Sequence, residues 1–231
     1  MSIIISIEGN IGSGKSTLVS KMKEYFETIN GCNVIFLQEP VDIWESICDE
    51  NGVSILTKFY DNQSKYAFSF QMMAYITRLK LLTDTIDDVK HNSIIICERS
   101  IWTDKNVFAK MLFDEGKIED VNYIIYNKWF EHFSKGCGLD GIIYLDMNAN
   151  ICEERIIKRD RIGEKIPITY LETCGKYHNK WISETEKDVL RLNDNTEETF
   201  GKIETFVKNI QKQKGIKLNI DMDKLFEKTW C

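Results

Sequence analysis

The residues best equipped for chemistry lie close to the start of the chain. Gly9-Asn10-Ile11-Gly12-Ser13-Gly14-Lys15-Ser16, with Thr17 following, fits the pattern GxxxxGK[ST] in full. Glycines at this spacing let backbone N–H groups turn inward onto phosphate oxygens, and the helix that such a loop opens adds positive potential at its N-terminus. Lys15 is expected to reach the β- and γ-phosphates of a nucleoside triphosphate, and the Ser16 hydroxyl is expected to bind Mg²⁺. The motif needs a strand before it and a helix after it. Residues 2–7 (SIIISI) read as a buried strand and 15–29 as a helix, so sequence and context agree, and a mere glycine-rich turn is the weaker reading. The loop does not name a reaction, because switches, motors and kinases all use it.

What receives the phosphate is narrowed by absences and by one strand end. A guanine-reading NKxD is missing; the nearest string, Asn127-Lys128-Trp129-Phe130, lacks the aspartate. A motor would end an apolar strand in a Walker-B aspartate. The apolar run 92–97 instead leads into Glu98-Arg99-Ser100. A carboxylate and a guanidinium at a strand end facing the loop suit a small-molecule phosphotransferase.

Six segments in this order, IEGNIGSGKST, QEPVDIW, FSFQMMAYITRL, CERSIWTDKNVFAKML, LDGIIYL and RIIKRDRIGEKIPITYLE, resemble the deoxynucleoside kinases of the deoxycytidine/deoxyguanosine kinase type over about residues 3–200. Between Glu164 and Ile166 the chain is one residue shorter than the lid usual in that family. The resemblance implies transfer of the γ-phosphate of ATP or another NTP to the 5′-hydroxyl of a deoxynucleoside, with Mg²⁺. Glu39 matches the general base, Glu98 a carboxylate that helps hold Mg²⁺, and Arg99 an arginine beside the 5′-oxygen. A helix-start acid for Glu39 and a structural ion pair for Glu98 and Arg99 are the weaker readings. Arg155, Arg159 and Arg161 match the lid, about 155–167, that closes over the donor phosphates. Gln71, Arg78 and Asp104 match the base pocket, Trp44, Phe70 and Phe108 its aromatic walls, and Tyr60 and Glu164 the pair that hydrogen-bonds the sugar 3′-hydroxyl. An Asp104 held ionised by Arg78 would accept from an exocyclic amine, as on cytosine or adenine, and would face thymine O4 acceptor to acceptor. The expected substrate is therefore deoxycytidine or a purine deoxynucleoside rather than thymidine. A nucleoside monophosphate kinase, or a nucleotide-binding regulator without turnover, is the alternative. A homodimer is implied by the resemblance alone.

The elements that must position these groups are legible in outline. Short apolar runs at 2–7, 33–38, 92–97, 141–146 and 189–193 alternate with helical patterns at about 15–29, 64–90, 104–114, 119–134, 149–159, 168–187 and 196–213. That alternation predicts an α/β, P-loop kinase fold: a five-stranded parallel sheet with helices on both faces and an arginine-rich lid. Site residues should collect at the C-terminal ends of the strands. With no repeat or flexible linker and only two prolines, residues 1–231 read as a single domain. The tail 214–231 could add a short strand and a helix, and is read as edge packing without chemistry. The 231 residues carry a net charge of −6, which argues against a broad surface for nucleic acid while leaving room for a local basic pocket. Seven cysteines without a CxxC spacing argue against zinc or a disulfide framework and for a reducing compartment. With no transit sequence and no apolar stretch of membrane-spanning length, the expectation is a cytoplasmic protein. His91, His132 and His178 are read as surface or helix-packing residues.

Overall fold

A computed structural model describes residues 2–89, 92–161, 163–193 and 197–216. The reading of the tail beyond 216, and that of His91, fall outside the described residues. The sheet begins with β1 (Ile3–Gly9), and α1 (Lys15–Tyr25) follows the phosphate loop. β2 (Thr28–Ile29) and β3 (Cys32–Leu37) form a hairpin, and α2 (Val41–Ser46), α3 (Ile55–Asp61) and the long α4 (Gln63–Asp88) cross to β4 (Ile94–Glu98). Next come α5 (Ile101–Thr103), a π-helical stretch Asp104–Ala109, α6 (Lys110–Asp114) and α7 (Asp120–Phe133). β5 (Gly141–Leu145), α8 (Ala149–Arg159), α9 (Ile168–Glu184), β6 (Asp188–Leu192) and α10 (Glu197–Gln213) complete the described chain.

The sheet has six strands in the order β2-β3-β4-β1-β5-β6, not the expected five. The five expected strands are all present and parallel; the extra one, β2, pairs antiparallel with β3. Asn30 and Gly31 explain it. Both adopt positive φ (52° and 74°), as a two-residue hairpin turn demands, and Asn-Gly is its commonest sequence. The turn stops α1 at Tyr25, four residues short of the expected end at 29. α2 and α3, six and seven residues long, fill a stretch to which the sequence assigned no element.

Both faces of the sheet are covered, so its strands are apolar throughout. Ile3, Ile5 and Ile7 point to one face with Leu18, Met22 and Val207 from α1 and α10. Ile4, Ile95, Ile142 and Tyr144 point to the other, against Tyr75, Tyr126 and Phe130 from α4 and α7. A third apolar cluster, built on Trp44, Phe59, Phe70, Phe108 and Tyr170, lies beyond the strand ends and forms one wall of the site. Among the described residues no helix is long and apolar enough to cross a membrane.

Candidate active site

A cavity of about 590 Å³ opens where β1, β3 and β4 end, at the point where the strand order reverses. Ile11, Gly12, Gly14, Lys15, Ser16 and Thr17 line it from one side. Seven basic and four acidic side chains reach it, a local positive excess in a chain of net charge −6.

The phosphate loop is shaped by positive φ at Gly9, Gly12 and Gly14. A Cβ on Gly12 would stand 2.4 Å from the Cys152 carbonyl oxygen, so the loop is pressed onto α8. Lys15, 5% exposed, donates to the Asn10 carbonyl at 2.7 Å and the Gly9 carbonyl at 3.3 Å. Burial above all, with the nearby Arg99 charge, pulls its ammonium down to about 7. Gly9, Asn10 and Ser13, expected among the phosphate binders, are not among the residues lining the cavity. They brace the loop from behind: Asn10 Nδ2 donates to the Leu171 carbonyl at 2.7 Å, and the Ser13 carbonyl accepts from Arg155 Nη1 at 2.8 Å.

Glu39 follows β3 and faces two guanidinium groups, Arg78 from α4 and Arg99 from the end of β4. Arg78 Nη2 donates to Glu39 Oε1 in a close contact, and Arg99 Nε stands 3.3 Å from the same oxygen. Burial pushes the Glu39 carboxyl up, but Arg78, Arg99 and Lys15 together outweigh it and hold the group at about 2. Arg99 itself has φ 62°, a left-handed conformation that turns its side chain back over the loop, where Nη1 donates to the Gly9 carbonyl at 2.8 Å. Glu8, buried on β1, accepts from Ser100 Oγ at 2.7 Å and from Thr103 Oγ1, and so pins the turn that carries Arg99 and Asp104. Glu98 accepts from Ser16 Oγ at 2.5 Å. Among the described residues no three His, Cys, Asp or Glu side chains gather as a metal cage.

Part of the cavity is a slot between rings. Phe59 stacks on Phe70 with centroids 4.5 Å apart, and Trp44 meets Phe70 edge-on at 5.6 Å. The Arg78 guanidinium lies 4.9 Å above the Trp44 ring, and Arg99 lies 4.9 Å above Phe108. Gln71, 2% exposed, offers an Oε1 without a hydrogen-bond partner, as does Asp104 with Oδ2. Arg78 does reach Asp104, at 3.4 Å, but its closer partner is Glu39. Arg78 therefore does not simply hold Asp104 ionised: burial dominates, and the carboxyl stands at about 7 despite the neighbouring cation. The π-helical stretch places Asp104 and Phe108 on the cavity side together.

Tyr60 and Glu164 both line the cavity, and burial raises the Tyr60 hydroxyl well above its ordinary value. Glu164 is already engaged by Arg159 Nη2 at 2.5 Å and by Arg161 Nη1 at 3.9 Å, while Arg161 Nε reaches Glu45 at 3.6 Å. A Cβ on Gly163 (φ 76°) would stand 2.2 Å from Thr57 Oγ1, so this loop rests directly on α3. The structure thus brings together every expected site residue except the three that brace the loop. It adds Val41, Leu56, Phe59, Ala74, Lys158 and Tyr170 to the lining. Most of these are apolar residues whose sequence signal cannot be told from ordinary core. Of the two readings given for His178, surface or helix packing, the structure excludes the first: it is fully buried on α9, against Arg99.

The sequence model describing deoxynucleoside kinases matches residues 5–221. The chain is 39% identical over 192 residues to the "Probable deoxycytidine kinase" of fowlpox virus, covering 81% of this chain and 75% of that protein. It is 32% identical over 197 residues to deoxycytidine kinase of Homo sapiens, covering 77% and 74% respectively. Mitochondrial thymidine kinase 2 of Homo sapiens is 31% identical over 182 residues, covering 78% and 64%.

Proposed function

This chain belongs to the deoxynucleoside kinase family and is a deoxynucleoside kinase, and we propose that its acceptor is a deoxynucleoside whose base carries an exocyclic amine, deoxycytidine or a purine, with ATP or another NTP as donor. The observation that carries this preference is the buried pair of unpartnered oxygens, Asp104 Oδ2 and Gln71 Oε1, in the slot beside Arg78. Two acceptors there suit a base edge that donates. A base presenting an acceptor must find Asp104 protonated.

The chemistry follows from the positions of the charges. The 5′-oxygen forms a bond to the γ-phosphorus, the bond to the β-phosphate oxygen breaks, NDP leaves, and the 5′-hydroxyl proton passes to Glu39. A carboxylate at about 2 is a weak base. It suffices because phosphoryl transfer runs through a loose transition state in which the nucleophile needs little activation, so the proton moves late. Glu39 then acts first as an aligned acceptor and second as a base. Lys15, Arg99 and the arginines 155, 159 and 161 supply positive charge around the transferred group. Ser16 and Glu98, a hydroxyl and a carboxylate side by side, form an oxygen donor set that fits Mg²⁺, which is held by few protein ligands plus phosphates and would neutralise phosphate charge. Residues 155–167 serve as the lid of a single kinase domain.

α7 exposes Val121, Ile124, Ile125, Trp129 and Phe133, with Ile76 of α4 also exposed. This apolar stripe supports pairing of two copies. The six described cysteines are unpaired and five of them buried, which suits a reducing cytoplasm. Competition among deoxycytidine, deoxyadenosine, deoxyguanosine and thymidine for radiolabelled ATP tests the substrate reading. Preference for thymidine would reject it.

A further inference from the structure

One buried polar group contacts Arg99 from outside the cavity without taking part in the mechanism above. His178 of α9 has no exposed surface. Its Nδ1 lies 2.8 Å from the Cys174 carbonyl one turn earlier, so Nδ1 carries the hydrogen and donates. Nε2 is then a bare lone pair, and the atom in front of it, at 3.5 Å, is Arg99 Nη1. The ring is fixed on two sides. Tyr144 stacks along it at 6.2 Å, and Phe108, which also carries the Arg99 guanidinium on its face, meets it edge-on at 6.0 Å.

We propose that His178 is a positioning residue that orients Arg99 toward the transferred phosphoryl group as a neutral hydrogen-bond acceptor. The inference rests on Arg99 facing that group. Arg99 already has an acidic neighbour in Glu39. A second carboxylate at position 178 would fix the guanidinium equally well but cancel the charge it must offer to the phosphoryl oxygens. A neutral imidazole fixes direction and leaves the charge intact. Burial first, and Arg99 second, keep the ring well below its ordinary pKa, so it stays neutral at working pH. The separation of 3.5 Å is long for a hydrogen bond, and contacts of this kind shorten when donor and acceptor substrates are both bound. The alternative is that His178 only packs α9 against β5. Packing alone would be served by an apolar side chain, and it gives no reason for Nε2 to face a guanidinium.

The test combines kinetics with spectroscopy. His178→Leu should lower kcat about tenfold or more, the scale of a lost hydrogen bond to a charged group, while KM for the deoxynucleoside changes by less than about threefold. His178→Gln, whose Oε1 can accept from Arg99, should recover much of the loss. In an Arg99→Lys background the cost of His178→Leu should shrink to about twofold or less, because residues that act together are not additive. The chain has three histidines, so ¹⁵N-imidazole spectra of the intact wild-type enzyme, assigned with His178→Gln, should show one ring protonated at Nδ1 and bare at Nε2 from pH 6 to 8. This measurement stands even if the leucine variant fails to fold. Unchanged kcat in His178→Leu, an equal cost in both backgrounds, or a ring protonated at Nε2 would each overturn the proposal. Wild-type turnover in Arg99→Lys alone would instead remove Arg99 from the phosphoryl group, and with it the ground for this role.

Discussion

Replacing Arg78 by Met and Asp104 by Ala, singly and together, separates the two contacts that one guanidinium makes. Arg78 is 7% exposed and shared between Glu39 and Asp104. Asp104→Ala leaves it paired with Glu39 and removes a carboxyl whose burial is costly, so folding stability should change little. Arg78→Met takes the nearest cation from Asp104 and leaves Glu39 with Arg99 and Lys15. Breaking a buried pair by removing one partner costs about 3–5 kcal/mol. At about 2–4 °C per kcal/mol for a chain of this size, melting should fall by about 6–20 °C. The double variant should lie between, since the Asp104 left without that cation is gone. The kinetic effects should divide differently. Loss of Asp104 removes an acceptor opposite thymine O4, and relief of one buried polar mismatch of about 1–3 kcal/mol moves the thymidine-to-deoxycytidine ratio of kcat/KM by roughly five- to two-hundredfold. Loss of Arg78 loosens Glu39 and should lower kcat for both nucleosides alike. Steady-state kinetics with both nucleosides on the four proteins, beside thermal melts, measures all of this. If Arg78→Met shifts the ratio as far as Asp104→Ala without lowering kcat, Arg78 reads the base and does not hold Glu39. If the ratio is the same in all four proteins, neither residue reads it.

Glu39→Gln keeps an acceptor for both arginines but cannot take a proton; kcat should fall at least about a hundredfold with nucleoside still bound, and near-normal turnover would reject the base. Lys15→Ala should abolish measurable transfer, and nucleotide binding and turnover that both persist would remove the loop from the donor site. Asp104 at about 7 gives the specificity a pH dependence: above that value the carboxylate accepts from an amine, and below it the acid can donate to thymine O4. The deoxycytidine-to-thymidine ratio should therefore rise between pH 6 and 8, by up to about tenfold per unit on both sides of that value. Asp104→Asn should flatten it, and a flat wild-type ratio contradicts the assignment. Gly163→Ala meets Thr57 at 2.2 Å and strains a φ of 76°, so the loop carrying Arg161 and Glu164 should lift from α3 and raise KM for both substrates; unchanged constants would show that the loop does not act from there.

The phosphate loop, the five parallel strands and the strand-end Glu98-Arg99 were readable because each is a local pattern. Asn30-Gly31 was readable too, as a hairpin turn, but the helical pattern before it ran on past Tyr25 and concealed the sixth strand. α2 and α3 are too short for periodicity to register. The pairing of Arg78 with Glu39, 39 positions apart, and of His178 with Arg99, 79 apart, depends on how α4 and α9 lie against the sheet. No local spacing encodes either. The sequence pointed to Asp104 as Arg78's partner because both matched the base pocket, and only the folded arrangement shows that Glu39 is the nearer one.

Glu39 is held by Arg78, from the wall proposed to read the base, and by Arg99, from the end proposed to meet the phosphates. A nucleoside that displaces Arg78 therefore loosens the group that must line up its own 5′-hydroxyl. Such a compound can still stack between Phe70, Trp44 and Phe108 and fill the cavity, yet react slowly. Its misfit is then expressed as lost turnover while occupancy persists. In a mixed pool, poorly matched nucleosides would act on this enzyme as competitive inhibitors, and the flux of the favoured substrate would depend on how much of the others is present.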